Sequence, residues 1–285
     1  MKRNILTLTF TLIFSLAAVA AYSQSNEFAV PLSDPSKRGK LNAHLNYGSI
    51  TVKGTARKDV LVKYSEEKEK DGEDRHREGR NHNNDRTQSK ESKEGLRRVG
   101  GGGLDLEASE NANQVRVKSD SWNVKLFLEI EVPAGFDLEV HTYNDGDLVI
   151  NNVQGSLELK NYNGEITATG ISGSVVANTY NGAIKVTFDK LTEGTPMSYS
   201  TYNGDIDVTL PATTKATFKM KTEQGEILTD FDMNVVSSGP VQKKDPRSGT
   251  YKLTIDEWKR ADLNGGGAEF SMKTYNGDVI VRKKK

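Results

Sequence analysis

The chain has 285 residues, with 39 basic and 39 acidic side chains, so its formal net charge is zero. It contains no cysteine, which excludes a disulfide scaffold, a thiol nucleophile and a zinc site with cysteine ligands. The balanced charge argues against a dedicated nucleic-acid binder, which would carry a basic excess.

Residues 1–23 are predicted to form a secretory signal peptide. Lys2 and Arg3 precede an apolar stretch, and Ala21-Tyr22-Ser23 supplies a small-residue cleavage site. A membrane anchor is the alternative, but threonine and serine interrupt the apolar run, which favours cleavage. The mature chain is therefore expected to be exported to the periplasm, the outer surface or the extracellular space. It should lack a transmembrane span, because no second apolar run approaches ~18 residues.

Residues 24–65 are predicted to hold the first strands of the fold, and residues 66–103 a disordered charged insertion. The insertion has almost no apolar side chains and mixes both charge signs, so it cannot bury enough surface to offset the entropy of ordering. His76 and His82 lie within it, and a metal site there is conceivable. A flexible polar loop is favoured, because metal ligands need a rigid second shell.

Internal repeats dominate residues 104–285. The segments HTYNDGDLVI, LKNYNGEITA, ANTYNGAIKV, YSTYNGDIDV, MKTEQGEILT and MKTYNGDVIV each carry a glycine followed by alternating apolar residues. Gly155 and Gly173 lie midway between the first three of these glycines, which gives a constant step of nine residues there. A 52-residue final step indicates an insertion in one repeat. The glycines of the six segments are Gly146, Gly164, Gly182, Gly204, Gly225 and Gly277.

The alternation after each glycine is typical of a strand with one buried face. Asn-Gly is a strong turn signal, because both residues tolerate positive φ. Two short strands and two turns in 18 to 22 residues cannot close a core alone, but stacked copies can. The predicted fold is therefore an all-β β-solenoid, with a β-sandwich of hairpins as the alternative. The predicted structural turn residues are Asn163, Gly164, Asn181, Gly182, Asn203, Gly204, Asn276 and Gly277.

Four segments carry a resemblance to a known family: EVPAGFDLEV, the recurrent Thr-Tyr-Asn-Gly-Asp-Ile unit, LPATTKATFKMKTEQGEI and the closing TYNGDVIV. Over residues 26–62 and 104–285 the chain resembles the exported bacterial "putative adhesin" family, a domain of unknown function. The resemblance implies a β-helix-like stack and an adhesin role, and it implies no catalytic residues. The long charged insertion departs from a plain member of that family.

One position of the repeat is a candidate binding site. It places five tyrosines outward on successive rungs, where strand spacing would let the rings form a ladder that Glu223 interrupts. The ladder has two interpretations: shielding of the turns, or an aromatic strip that binds a glycan or a peptide. The asparagines that follow are predicted to form a turn ladder, through positive φ or through side-chain hydrogen bonds. The five tyrosines are Tyr143, Tyr162, Tyr180, Tyr202 and Tyr275.

The acids after the glycines allow two interpretations, a calcium site or a solvated face. Ala183 breaks their series, which favours the solvated face. Only His44 and His141 lie outside the insertion, so a clustered catalytic site is not expected, and neither a cofactor nor a metal is predicted. The function predicted is a non-enzymatic, adhesin-like or structural module of the envelope, whose partner is a glycan or a surface protein. The alternatives are a carbohydrate-active β-helix enzyme and a periplasmic scaffold that recruits a partner through the insertion.

Overall fold

The computed structural model describes residues 26–67, 105–237, 241–244, 251–254 and 258–285. Across these ranges the regular structure consists of 21 β-strands and no helix, so the all-β prediction is confirmed. The first ten strands are β1 (Glu27–Pro31), β2 (Lys40–Thr55), β3 (Asp59–Glu66), β4 (Glu107–Asn111), β5 (Gln114–Ser119), β6 (Leu126–Pro133), β7 (Asp137–Asn144), β8 (Leu148–Asn151), β9 (Ser156–Asn161) and β10 (Ile166–Asn178). The others are β11 (Ile184–Leu191), β12 (Met197–Ser200), β13 (Ile206–Leu210), β14 (Ala216–Lys221), β15 (Ile227–Thr229), β16 (Val236–Ser237), β17 (Val241–Lys244), β18 (Tyr251–Thr254), β19 (Lys259–Leu263), β20 (Ala268–Lys273) and β21 (Val279–Lys283).

All of these strands except the β17–β18 hairpin belong to two sheets around one hydrophobic core. Sheet A contains β1, β3, β6, β8, β11, β13, β15 and β21. Sheet B contains β4, β5, β7, β9, β12, β14, β16, β19 and β20. The chain alternates between the sheets: a strand of sheet B, a turn, a strand of sheet A, and a corner that leads back to sheet B. We call one such pair of strands a rung. The long strands β2 and β10 each contribute to both sheets, which joins them into one 19-stranded hydrogen-bonded network. Strand β10 pairs in sheet A as far as Gly173 and in sheet B from Ser174, and Gly170 (φ 69°) lies next to two register shifts in its sheet A part.

Successive repeats pair in parallel with equivalent residues side by side. In sheet A, Ile184 is the register partner of Ile166 on one side and of Ile206 on the other. All three side chains are fully buried, so the alternation predicted from the sequence places one column of isoleucine in one core. The column continues through aliphatic residues at both ends: Leu128, Ile50 and Leu148 on one side, Val279 and Ile227 on the other.

The order of the rungs in space differs from their order in the sequence at both ends of the stack. Strand β2 lies between the rung of residues 114–133 and the rung of residues 137–151. At the other end, β20 and β21 lie between the rung of residues 197–210 and that of residues 216–229. Strand β2 and the pair β20 and β21 are thus each held between two neighbouring rungs.

Antiparallel strands cover most of the ends of the stack. At one end β4 pairs with β5, β3 pairs with β6, and β1 pairs with β3. At the other end β19 pairs with β14, and β16 pairs with β19. Covered edges lack the open row of backbone donors and acceptors through which sheets aggregate. In sheet A the three-residue strand β15 is the last strand at this second end.

Two predictions concern residues outside the described ranges. The signal peptide of residues 1–23 lies wholly outside them, and so does most of the predicted insertion. The structure corrects the start of that insertion, because Glu66 is the last residue of β3 and the Glu67 amide donates to the Lys125 carbonyl. Within the described ranges, no helix is long and apolar enough to cross a membrane.

Candidate functional site

The five predicted tyrosines lie on one edge of the stack, at the end of the sheet B strands. Each follows a residue whose side chain enters the core, as Thr179 precedes Tyr180, so strand alternation turns the tyrosine outward. Their exposed fractions lie between 40% and 46%, which leaves part of every ring accessible to a partner.

The rings form the predicted ladder. Neighbouring ring centroids lie 4.8 to 5.1 Å apart and the ring planes differ by 3° to 8°, within the range of offset stacking. The prediction that Glu223 interrupts the ladder is wrong. Because β20 lies between β12 and β14, Tyr275 stacks directly on Tyr202, and Glu223 follows Tyr275 at the end of the column.

Trp122 extends the aromatic column at its other end, and sequence analysis missed it. Its ring meets Tyr143 edge to face at a centroid distance of 5.3 Å, and it is 55% exposed. The rung that carries it, residues 114–133, has no Tyr-Asn-Gly motif. The only signal in the sequence is an aromatic residue in the loop between two alternating strands.

Behind the tyrosines runs a ladder of asparagine amides. The Nδ2 atoms of Asn181 and Asn203 each donate to the Oδ1 atom of the preceding asparagine, at 2.7 and 2.6 Å. Asn163 donates to Asn144 at 3.2 Å, and Asn276 donates to Asn203 at 2.6 Å. The predicted side-chain hydrogen bonds are therefore present.

Of the two alternatives predicted for these asparagines, the side-chain hydrogen bonds are found, whereas the positive φ falls on the next residue. Gly164, Gly182, Gly204 and Gly277 have φ between 143° and 154°. At Gly182 an added Cβ would also lie 2.1 Å from the carbonyl oxygen of Gly164 in the neighbouring rung. Both the backbone conformation and the close approach of the rungs therefore require glycine there.

Buried polar side chains tie each turn to the next. The Thr179 hydroxyl donates to the Gly164 carbonyl at 3.0 Å, and the Thr201 hydroxyl donates to the Gly182 carbonyl at 2.9 Å. Thr142, Asn161, Thr222 and Thr274 make the same bond to the glycine of the rung before them in space. These bonds satisfy carbonyl groups at the turns and fix the tyrosine beside each threonine.

The acids after the glycines have a structural partner. The Asp147 carboxylate accepts from the Glu165 amide, and the Asp205 carboxylate accepts from the Asp278 amide, both at 2.8 Å. Each acid thereby links its turn to the next rung. In the part of the chain that the structure describes, no group of three or more histidine, aspartate or glutamate side chains could hold a metal ion.

Beside the tyrosines, sheet B carries a strip of short, half-buried outward side chains, which we call the shelf. Asn178 and Ser200 precede Tyr180 and Tyr202 by two residues, so they lie on the same outer face. The five stacked tyrosine rings lie along one side of the shelf, and we call this row of rings the tyrosine wall. The shelf consists of Val176, Asn178, Ser198, Ser200 and Ser271.

Charged residues lie at the two ends of the shelf. Lys160 is the register partner of Asn178 and is paired with Glu158, while Lys273 is the register partner of Ser200. The shelf itself is uncharged. A ligand there would meet hydroxyl and amide groups next to aromatic rings.

The two histidines outside the insertion are register partners on sheet B, with ring centroids 6.3 Å apart. Burial lowers the pKa of His141 below its usual value, and the nearby Lys160 ammonium acts in the same direction. The Nε2 atom of His141 is buried and 3.9 Å from the Glu139 carboxylate, beyond hydrogen-bond distance. His141 is the register partner of Lys160 and precedes Tyr143 by two residues, so it lies on the same outer face as the tyrosine column.

These features define an all-β repeat protein whose turns carry aromatic and amide columns. The chain belongs to the Toastrack DUF4097 family, whose model matches residues 96–257, so the family expected from the sequence is confirmed. A similar solved structure is a "putative cell adhesion protein" from Clostridium sporogenes ATCC 15579, at 10% identity and a TM-score of 0.44. The similarity covers 90% of this chain and 99% of that chain. No curated protein matches the chain.

Proposed function

We propose that the mature chain is an exported, non-enzymatic β-solenoid that binds a linear, uncharged glycan of the cell envelope or of a neighbouring surface. The observation that carries this proposal is the unbroken tyrosine wall beside the uncharged shelf. Export rests on the predicted signal peptide of residues 1–23.

The chemistry of the surface suits a sugar polymer. A sugar offers apolar C–H faces and many hydroxyl groups, which match tyrosine edges and the polar groups of Asn178, Ser198, Ser200 and Ser271. Because the shelf carries no charge, binding there should depend little on salt.

The periodicity of the surface favours a polymer over a single small ligand. The wall repeats with a ring spacing of 4.8 to 5.1 Å along the stack. A linear polymer laid along this direction meets a tyrosine ring on each of five rungs, with hydroxyl and amide groups beside Tyr180 and Tyr202. Several weak contacts on one chain then add up, and affinity should increase with oligosaccharide length until the wall is filled.

The second candidate is a structural role for the ladder, since each inner ring stacks on two neighbours and so stabilises the edge of the stack. The two roles separate when the shelf is changed and the tyrosines are left intact. We therefore choose the double variant Ser198→Gln and Ser200→Gln, whose longer uncharged side chains would occupy the shelf. The matched control is Thr187→Gln with Thr209→Gln, on the outer face of sheet A.

The experiment measures retention of the mature chain on immobilised envelope and cell-surface polysaccharides. We expect the shelf variant to lose at least about tenfold in affinity, equivalent to ~1.4 kcal/mol, and the control to bind like the wild type. Equal binding by both variants would place the ligand elsewhere. Binding to a surface protein but to no polysaccharide would assign a protein partner, and new reducing ends after incubation would show an enzyme.

A further inference from the structure

The Asn-Gly turns are chemically labile, because an Asn-Gly dipeptide deamidates spontaneously in water. The backbone nitrogen of the glycine attacks Cγ of the asparagine, a new C–N bond forms, the Cγ–Nδ2 bond breaks, and the amide nitrogen leaves as ammonia. Water then opens the five-membered ring to aspartate or isoaspartate. Glycine permits the attack because it has no side chain to hinder it. Four such dipeptides line the asparagine ladder, with Asn163, Asn181, Asn203 and Asn276.

The structure holds both reacting groups in place at the three inner turns. The amides of Gly164, Gly182 and Gly204 donate to backbone carbonyls of the neighbouring rung at 2.7, 2.8 and 2.8 Å. The side-chain amides of their asparagines both donate and accept within the ladder. The reaction at these turns therefore needs a prior opening of the stack.

Asn276 differs from the three inner asparagines in its exposure, in the hydrogen bond of the following glycine amide and in its own side-chain hydrogen bonds. Its side chain is exposed, whereas those of Asn163, Asn181 and Asn203 are half-buried. The Gly277 amide donates to the Gln224 carbonyl at a longer distance, 3.2 Å. In the described ranges, the Asn276 side chain donates to Asn203 but accepts no side-chain hydrogen bond, because the next rung carries Gln224 in place of an asparagine.

Among the described residues, the rung beyond Asn276 has no outer partner strand in sheet A. It pairs with β21 only through the three residues of β15, which is the last strand of sheet A at that end. Local opening costs least at the ends of a structure. Both the static geometry and the expected local dynamics therefore single out the same turn.

We propose that Asn276 is a site of spontaneous deamidation in the folded protein, and that the amide ladder protects Asn163, Asn181 and Asn203. The product weakens the ladder from this end. A carboxylate at position 276 cannot donate to the Asn203 Oδ1 atom, so two acceptors face each other where a hydrogen bond of 2.6 Å existed.

The test follows deamidation of the folded full chain by mass spectrometry during incubation at mildly alkaline pH. Trypsin places Asn276 in the fragment of residues 274–282, apart from the other ladder asparagines and from the separate Asn264-Gly265 turn. We expect Asn276 to react at least about tenfold faster than each inner asparagine. In urea the four rates should converge to within about threefold, because the protection belongs to the fold. Equal rates in the folded chain, or a faster inner site, would overturn the proposal.

The variant Gln224→Asn tests the direction of the ladder. The new asparagine extends the column by one rung and can donate to the Asn276 Oδ1 atom, so deamidation at Asn276 should slow severalfold. The reactive end should move to position 224, which now also precedes a glycine. An unchanged rate at Asn276 in the folded variant would contradict protection by the ladder. The variant Asn276→Asp should lower the urea midpoint relative to the wild type, and so should deamidation at Asn276.

Discussion

At the scale of single residues, the glycine of each Tyr-Asn-Gly turn is the least replaceable position. Gly182 combines a φ of 149° with a neighbouring carbonyl 2.1 Å from where a Cβ would lie. We expect Gly182→Ala to lower the free energy of unfolding by about 3 kcal/mol or more, measured by urea denaturation. Gly135→Ala is the control, because nothing lies within 4 Å of its Cβ position. Similar losses for both variants would contradict the close contact between rungs.

The buried threonine hydroxyls should contribute individually to stability. Thr201→Val preserves shape and β-branching but removes the hydrogen bond to the Gly182 carbonyl. The loss leaves a carbonyl without its side-chain donor, and we expect a decrease of about 1–3 kcal/mol in the free energy of unfolding. Thr187→Val, on the outer face of β11, should change it by less than about 0.5 kcal/mol. Indistinguishable midpoints would show that the hydroxyl is dispensable.

His141 should make stability depend on pH. Its folded pKa lies below the unfolded value of about 6.5, so the unfolded chain binds more protons once the pH falls below that value. The free energy of unfolding should therefore decrease as the pH falls from about 7 to 5.5. His141→Gln should flatten part of this slope in urea titrations at each pH. Parallel slopes for variant and wild type would contradict the role of His141.

At the scale of elements, the tyrosine ladder should stabilise the turns in proportion to its contacts. Tyr180 stacks on two tyrosines, whereas among the described residues Tyr275 stacks on Tyr202 alone. At about 0.5–1.5 kcal/mol per aromatic pair, Tyr180→Ala should cost about 1–3 kcal/mol from stacking, and Tyr275→Ala about half of that. Urea denaturation of the two variants measures the difference. An equal or reversed order would show that the rings contribute independently of one another.

The elements themselves could be predicted from the sequence because their signals are local. Alternation of apolar and polar residues fixed which side of each strand is buried, as Ile184 and Val186 show, and the equivalent spacing of the tyrosines predicted the ladder. The conformation of the turns was harder to predict. Asn181 and Gly182 both tolerate positive φ, and only the stacked neighbour decides that the glycine adopts it.

At the scale of the whole molecule, the order of the rungs is the feature that sequence could not supply. Neighbouring rungs share the same alternation, so Asp207 of β13 could pair equally well with β15 or with β21 as far as local pattern goes. The two possible orders differ in which rung an antiparallel strand covers at this end of the stack. Strand β14 pairs with the antiparallel strand β19 on its outer side, which places it last among the parallel strands of sheet B.

This arrangement gives the termini a role in stability. The C-terminal strands β20 and β21 lie between two rungs, and β2 is held in the same way near the N-terminus. The chain ends of a stack in simple sequence order would form its outermost, most easily opened rungs. The observed order instead places β20 and β21 inside the stack, while antiparallel strands such as β1, β3 and β19 cover its ends.

The most direct test of this account is a distance measurement in a chain that has no cysteine of its own. Asp207 and Ile280 are outward-facing register partners on adjacent strands, so a double cysteine variant at these positions should form a disulfide under mild oxidation. Asp207 and Leu228 lie two strands apart, about 9.6 Å, beyond the reach of a disulfide. We expect efficient cross-linking of the 207–280 pair and none of the 207–228 pair. Cross-linking of the 207–228 pair alone would place the rungs in sequence order and contradict the observed order.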